Sequence, residues 1–272
     1  MPNKALHCLE SIACLRRTTC CLLLLLGILC CQRSQAQASE VVAFYTAGGE
    51  PDHVQFARQA IEHFTALAAR EHFQFRATTD WNELEKLSSK STPLTLWLND
   101  RPHAPQQRAA FERYMDHGGG WFGFHVSAYN DSSTQWPWFV AFLGGGVFRS
   151  NNWPPLPARL HIDDPHHPVT HGLPVDFLAP ANEWYLWQPS PRLNSAVKVL
   201  VTLDTANFPL GLKDTIAAGD VPVVWMNTRY RMLYANMGHG DKIFTSSTQD
   251  ILFDQAILWL LSTPRSLAAP AH

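Results

Sequence analysis

Three side chains that can transfer protons occupy similar settings in the sequence. His125 ends the apolar run GGGWFGFH, His239 lies between two glycines after MLYANM, and Glu183 lies in ANEWYLW. A neutral imidazole can accept a proton and a carboxyl group can donate one, so this set suits general acid–base catalysis. We predict that His125, Glu183 and His239 are the catalytic residues.

Other residues could bind a substrate beside these three. Asp52 and His53 follow the first predicted strand, and tryptophan rings can stack on sugar rings through their apolar faces, although each ring could equally pack in the core. The predicted substrate-binding residues are Asp52, His53, Trp136, Trp138, Asn151 and Trp184, and Trp153 and Trp187 are further candidates for stacking.

A divalent ion is an alternative use of the same residues. Three neutral imidazoles, His53, His125 and His239, with the carboxylate of Glu183 would suit zinc. These residues are far apart in the sequence and lack the spacing of a metal motif. The sequence therefore leaves the metal ligands and the cofactor open, with zinc as the candidate ion.

Strands and helices alternate along the part of the chain that must position these residues. Apolar runs predict strands at 40–46, 73–77, 94–98 and 121–124, and helical spacing predicts helices at 54–70 and from Pro105 to a cap at Gly118. Asp80 and Glu83 are spaced as the capping box of a short helix. Further strands are predicted at 159–162, 197–203, 221–226 and 232–237, with a final helix at 251–261.

This alternation predicts a single α/β domain, doubly wound and flavodoxin-like, with a mostly parallel sheet. Ligands of such folds bind at the carboxyl ends of the strands, where His125 is placed. If residues 126–129 begin a helix, its positive end would disfavour the protonated form of His125.

The first residues of the chain predict export. All six cysteines lie within residues 1–31, around a short apolar run that follows two arginines, and Ala36-Gln37-Ala38 resembles a cleavage site. We predict a signal peptide at 1–38, a domain at 39–264 and a flexible tail at 265–272, in a periplasmic or secreted protein. A twin-arginine signal, a lipidated cysteine and an uncleaved anchor remain alternatives. After cleavage, the chain would have no disulfide, no thiolate metal site and no cysteine nucleophile.

The charge of the chain points to small-molecule partners. A formal net charge of −2 gives no basic footprint for nucleic acid and no polybasic patch for a membrane after cleavage. The oligomeric state stays open.

Several segments, in family order, resemble the ThuA-like (trehalose utilisation) family of the class I glutamine amidotransferase-like superfamily. They are GGGWFGFHVSA, WPWFVAFLGGGVF, DDPHHPVTHGLP, NEWYLW, PVVWMNTRYRMLYANMGHG and ILFDQAILWLL. The resemblance implies that His125 stands where glutamine amidotransferases have a nucleophilic cysteine on a sharp turn, so glutaminase activity should be absent. The chain departs from the family in having one histidine, His53, after the first strand and in having Asn182-Glu183 where the family has an acidic pair.

The resemblance also implies an enzyme of carbohydrate utilisation that acts on a sugar derivative as a hydrolase, lyase or isomerase. Two alternatives remain at this stage. The chain could be a sugar-binding or accessory module without turnover, or a divalent-metal-dependent hydrolase.

Overall fold

A computed structural model of the protein describes residues 39–131, 133–204 and 219–262. These residues belong to one compact unit that begins at Ser39. The predicted signal peptide at 1–38 and the predicted tail at 265–272 lie outside the described residues and stay predictions. None of the described helices is long and apolar enough to cross a membrane.

Eleven strands and four α-helices are found in the described residues. The strands are β1 (Glu40–Phe44), β2 (Gln74–Thr78), β3 (Leu94–Trp97), β4 (Gly120–Phe124), β5 (Phe148–Asn151), β6 (Leu156–Ile162), β7 (Asp176–Asn182), β8 (Tyr185–Trp187), β9 (Val197–Leu203), β10 (Pro222–Asn227) and β11 (Arg231–Ala235). The helices are α1 (Pro51–Glu71), α2 (Pro105–Asp116), α3 (Pro137–Phe142) and α4 (Ser247–Ser262).

Five adjacent parallel strands form the half of the sheet that carries the candidate site. Their order is β2-β1-β3-β4-β11, which is the strand order of flavodoxin-like folds. The predicted doubly wound α/β class is therefore confirmed. Beyond β11 the sheet continues through β10, β9, β6 and β7 in antiparallel pairs, and β5 and β8 form a separate pair.

The two faces of the sheet are buried by different helices. Successive residues of a strand point to opposite faces, so Val41 of β1 packs in one apolar cluster with Phe56 and Phe64 of α1. Val42 packs in another cluster with Phe111 of α2. Because both faces are covered, the parallel strands are continuous apolar runs.

Two local predictions were wrong in detail. Asp80 accepts the N–H of Asn82 as an N-cap, but Glu83 does not return the bond, because its carboxylate accepts from Arg76 (2.5 Å) and Thr78 (2.8 Å). The segment is a 3₁₀-helix, Trp81–Lys86, without a capping box.

The segment after β4 is also a single 3₁₀ turn, His125–Ala128, rather than the start of an α-helix. A turn of four residues has no aligned macrodipole of the predicted kind. The protonation state of His125 therefore needs another cause.

The strands β5, β7 and β8 were not predicted. The sequence of β7, DFLAPAN, contains Pro180 and ends in a polar residue, which does not match the pattern of a central strand. It is tolerated because β7 is an edge strand of the sheet. This strand brings Asn182 and Glu183 to the site.

Candidate active site

The site lies at the carboxyl ends of β4 and β11, which are parallel neighbours with Phe124 in register with Ala235. His125 directly follows β4, and His239 lies in the loop after β11. The first turn of α1, which follows β1, adds His53, and Glu183 follows β7. The structure thus brings together residues from four separate segments of the chain.

The three imidazole rings and the carboxylate of Glu183 form one cluster. The ring centroid of His53 is 5.2 Å from that of His125 and 4.9 Å from that of His239, and the latter two are 5.5 Å apart. Glu183 Oε2 is 3.5 Å from His125 Nε2 and 3.7 Å from His239 Nε2. The cluster therefore contains His125, Glu183 and His239, the predicted catalytic residues, with His53, which was predicted to bind substrate.

His125 adopts a left-handed backbone conformation, with φ of 43°. A residue with a Cβ rarely adopts this conformation, and such residues are concentrated at functional sites. The neighbouring loop can approach closely because residue 238 is a glycine, where an added Cβ would lie 2.6 Å from His125 Cβ. Tyr234 further fixes the turn, since its hydroxyl donates to the carbonyl oxygen of His125 at 3.0 Å.

The tautomer of His125 follows from its hydrogen bond. Nδ1 is 2.8 Å from the carbonyl oxygen of Asn236, and because a carbonyl oxygen can only accept, Nδ1 carries the hydrogen. In the neutral ring, Nε2 then has a free lone pair. Nε2 is buried and has no hydrogen-bond partner among the described residues.

Burial keeps His125 uncharged. The side chain is fully buried, and desolvation, with a smaller effect from the charge of His239, lowers the pKa of His125 from 6.5 to about 3. Burial, and not the predicted helix dipole, therefore disfavours the protonated form of His125. Burial has the opposite effect on a carboxyl group and raises the pKa of Glu183 above its usual value.

His53 is the second ring whose charge is disfavoured. Burial, followed by the neighbouring His125 and His239, lowers the pKa of His53 to about 4. Glu50 lies at the mouth of the cluster, where burial would raise its pKa, but hydrogen bonds from the backbone N–H groups of His53 and Asp52 outweigh this and hold the pKa of Glu50 below its usual value.

Asn182 positions much of the site and was missed as a functional residue. Its Oδ1 accepts the backbone N–H groups of Gly238 (3.1 Å) and His239 (3.0 Å), and its Nδ2 donates to the carbonyl oxygens of Glu183 (2.7 Å) and Asn236 (3.2 Å). The latter oxygen also fixes the tautomer of His125. The sequence marks Asn182 only as part of the segment that replaces the family's acidic pair, because all of its long-range partners depend on the fold.

Two of the predicted stacking residues are part of the core, and a third packs against it. Trp184 is fully buried and donates its ring N–H to Leu156, and Trp136 is 5% exposed. Trp138 is partly buried and packs against the cluster that contains Phe111 of α2, with its ring stacked on Phe142 at a centroid distance of 5.1 Å. Packing therefore occupies the ring faces of Trp136 and Trp184, which does not support their predicted substrate-binding roles. The predicted role of Trp138 stays a prediction. Trp187, the further candidate, is also buried.

Trp153 is the stacking candidate that stays available. Its side chain is 73% exposed, and its ring centroid is 6.5 Å from that of His239. Asp52 also lies at the cluster, with Oδ2 3.7 Å from His239 Nδ1. Asn151 ends β5, and its amide donates to the carbonyl oxygen of Asn152 rather than to a cluster residue.

Two overlapping sets of side chains within the described part of the chain could hold a metal ion. One set is Glu50, His53 and His239, and the other is His53, His125 and Glu183. Within each set, the ligand atoms all lie within 4.8 Å of one another. The zinc candidate of the sequence analysis thus has donors of the right chemistry, two imidazoles and one carboxylate.

Known proteins similar to this chain share its fold over most of its length. A family model described as ThuA, trehalose utilisation, matches residues 40–260. A crystal structure of a protein described as ThuA-like from Bacteroides uniformis ATCC 8492 is 48% identical, with a TM-score of 0.80, and the match covers 85% of this chain and 95% of that one. No curated protein matches the chain.

More distant structures support the fold alone. A protein from Parabacteroides merdae ATCC 43184, also described as ThuA-like, is 15% identical with a TM-score of 0.59, and the match covers 83% of this chain and 90% of that one. A β-galactosidase from Bacillus circulans sp. alkalophilus is 11% identical with a TM-score of 0.51, and the match covers 84% of this chain and 31% of that one.

Proposed function

This chain belongs to the ThuA (trehalose utilisation) family, and on that premise we propose that it is an exported enzyme acting on a carbohydrate derivative by acid–base chemistry. The catalytic residues in this proposal are His125, Glu183 and His239. The observation that carries it is the unpartnered lone pair of His125 Nε2, buried 3.5 Å from the carboxyl group of Glu183.

The two groups have the properties of a base and an acid. When the environment shifts the pKa values of two neighbouring groups in opposite directions, one group can act as the acid and the other as the base. A carboxyl group with a raised pKa suits the acid, and a neutral imidazole suits the base. Glu183 retains its proton to higher pH than usual, whereas His125 stays unprotonated. Glu183 would donate a proton to an oxygen of the substrate, and His125 Nε2 would accept one from a carbon beside a carbonyl group or from water.

The low pKa of His125 would make it a weak base if it acted alone. Once Glu183 has given up its proton, however, its carboxylate lies 3.5 Å from Nε2 and favours the imidazolium form. The same carboxylate lies 3.7 Å from His239 Nε2. Proton transfer from Glu183 to the substrate and from the substrate to His125 would therefore assist each other.

The family name and Trp153 support a carbohydrate derivative as the substrate. An exposed indole beside an acid–base cluster is suited to stacking on the apolar face of a sugar ring. Its exposure, 73%, leaves the ring face free, unlike the rings of Trp136 and Trp184. The reaction class is then hydrolysis, elimination or isomerisation, each of which needs one proton donor and one acceptor.

Turnover assays test the proposal. The purified protein is incubated with a panel of sugar derivatives that includes glycosides, keto sugars and lactones, and product formation is followed. We expect turnover of at least one, and we expect His125→Ala and Glu183→Gln to reduce kcat by about 10²–10⁴-fold. His161→Ala serves as the matched control, because His161 pairs with Asp176 at the far edge of the sheet.

Binding without turnover over the whole panel would favour the alternative, a sugar-binding or accessory module. Full activity of His125→Ala on a substrate that the wild type converts would contradict the acid–base assignment. Ammonia release from glutamine above the His125→Ala background would contradict the expected absence of glutaminase activity.

Export is a separate part of the proposal and is supported by the basic, apolar and Ala-Gln-Ala segments of residues 1–38. Protein isolated from its native host should begin near Ser39 by N-terminal sequencing. A mature protein beginning at Met1 would contradict cleavage.

A further inference from the structure

We propose that Glu50, His53 and His239 bind one divalent transition-metal ion, such as zinc, beside the His125–Glu183 pair. The inference depends on the proposed function for the use of the ion in catalysis and for the choice between the two possible ligand sets. The ion binding itself stands on the geometry of the three side chains.

The main observation is a set of ring nitrogens without hydrogen bonds. His239 is 2% exposed, and its Nδ1 is buried without a hydrogen-bond partner among the described residues. Nε2 of His53 is also buried without a partner. The nitrogens that face Glu50 are the other two, His53 Nδ1 and His239 Nε2. If these two bound an ion, each ring would carry its hydrogen on the unpartnered nitrogen.

The distances fit a metal centre. Glu50 Oε2 is 3.6 Å from His53 Nδ1 and 3.8 Å from His239 Nε2. Ligand atoms about 2.0–2.2 Å from a tetrahedral ion are about 3.3–3.6 Å apart. Small side-chain movements would therefore close the three ligands around one ion.

Backbone hydrogen bonds hold the three ligands in this arrangement. The N–H of His53 donates to Glu50 Oε2 at 2.8 Å, which aims the carboxylate along the first turn of α1. The N–H of Gly240 donates to the carbonyl oxygen of Asp52 at 3.2 Å and joins the His239 loop to the same turn. Asn182 Oδ1 holds the N–H of His239 at 3.0 Å.

A carboxylate is also placed to orient one ligand from outside. Asp52 Oδ2 lies 3.7 Å from His239 Nδ1, on the side of the ring away from Nε2. Metal-binding histidines usually donate their other N–H to a carboxylate or carbonyl group, which fixes the tautomer. His239 needs this tautomer if Nε2 is to coordinate the ion.

The donor types select the class of ion. Two imidazoles and one carboxylate suit zinc and its neighbours, whereas calcium and magnesium prefer oxygen ligands alone. Residues 39–272 contain no cysteine, so the described residues offer no thiolate ligand. Three protein ligands leave a position for water or a substrate oxygen, which a bound ion would polarise.

The other possible set, His53, His125 and Glu183, would remove the base and the acid of the proposed reaction. His125 Nδ1 already has its carbonyl partner, and its Nε2 faces Glu183 Oε2 at 3.5 Å. Glu50 is instead 44% exposed at the mouth of the cluster, where an ion would meet an entering substrate. We therefore infer that His125 and Glu183 stay free of the ion.

Calorimetric titration tests the site without any substrate. The protein is treated with a chelator and titrated with Zn²⁺, and Co²⁺ is added in a parallel sample because its visible absorption reports the coordination geometry. We expect one ion per chain. His53→Ala and His239→Ala should weaken binding by about 100-fold or more, since removing an outer partner of a ligand already costs about 10–100-fold.

Glu50→Gln keeps the test decisive if His239→Ala fails to fold. Glutamine retains an oxygen for the N–H of His53, and Glu50 is partly exposed, so this variant should fold and bind Zn²⁺ at least about 10-fold more weakly. The surface control His161→Ala should stay within about threefold of the wild type. His125→Ala and Glu183→Gln remove neighbours of the ligands rather than ligands, and should weaken binding less than Glu50→Gln does.

No Zn²⁺ or Co²⁺ binding, or unchanged binding by Glu50→Gln and His53→Ala, would overturn the inference. Equal loss in His125→Ala and Glu183→Gln would assign the ion to the other set and would also overturn it. Because these readouts need no turnover, metal binding with no conversion of any sugar derivative would contradict the proposed function and leave the metal site supported.

Discussion

Replacing Gly238 by alanine perturbs the site at its closest contact. The new Cβ would lie 2.6 Å from His125 Cβ and 3.3 Å from Phe56. Ordinary van der Waals contact begins at 3.4 Å, so His125 or the His239 loop must move by about 0.8 Å, the difference between 3.4 and 2.6 Å. His125 cannot swing away as the end of a flexible side chain could, because the contact is with its Cβ atom, and Phe56 is fully buried.

The cost can be estimated from this displacement. Overpacking of a buried position costs about 1–3 kcal/mol, and a chain of this size loses about 2–4 °C in Tm per kcal/mol. The Tm of Gly238→Ala should therefore fall by about 2–12 °C. Turnover should fall by about 10²-fold, because a misplacement of about 1 Å has this effect on reacting groups.

Differential scanning calorimetry of the wild type and two variants measures the effect. Gly48→Ala is the matched control, since an added Cβ there has nothing within 4 Å, and its Tm should stay within about 2 °C of the wild type. A Gly238→Ala protein with the Tm and turnover of the wild type would refute the packing of His125 against this loop.

Three further predictions concern residues around the cluster. Trp153→Ala should weaken binding of a sugar derivative by about 2–10-fold by calorimetry without lowering the Tm, because the ring is 73% exposed; unchanged affinity would remove the stacking role. Asn182→Ala leaves two buried N–H groups without their acceptor, so the free energy of unfolding by urea should fall by at least about 2 kcal/mol; a smaller loss would show that other groups replace it. The metal-free protein should lose stability as the pH falls from about 6.5 to about 3. The pKa values of His53 and His125 are about 4 and about 3 in the folded state, against 6.5 in the unfolded state. The unfolded chain therefore binds more protons than the folded chain in this pH window. Urea titrations of His125→Gln over the same range should show a slope lower by up to about 1.4 kcal/mol per pH unit, and an identical slope would contradict the low pKa of His125.

The sequence predicted the part of the site that depends on local patterns. An apolar run that is followed by a histidine, with a glycine within two residues of it, marks the end of a buried strand, and this pattern occurs at both His125 and His239. The strands β4 and β11 lie 107 residues or more apart in the chain, and their parallel pairing followed from the fold class rather than from either segment. That pairing brings the two rings together.

The residues that sequence reasoning missed depend on the long-range fold. Asn182 and Glu50 have no distinctive pattern of their own in the sequence. Their roles arise because the end of β7, at Asn182, and the beginning of α1, next to Glu50, both lie beside the His239 loop. For two of the tryptophans, the sequence suggested a functional role that the fold does not support. Trp136 and Trp184 have the chemistry for stacking on sugars, but only the packing of α3 and of the loop after β7 determines that their faces are buried.

The protonation state of His125 is the most direct test of the proposed chemistry. Two-dimensional ¹⁵N–¹H NMR of the histidine rings in the metal-free protein, with His125→Gln to assign the signal, reports which nitrogen carries the proton. The account predicts a neutral ring protonated at Nδ1 from pH 8 to about pH 5, because Nδ1 donates to Asn236 and burial lowers the pKa of His125 to about 3. An imidazolium ring at pH 7, or a neutral ring protonated at Nε2, would contradict it, since Nε2 would then have no lone pair to accept a proton.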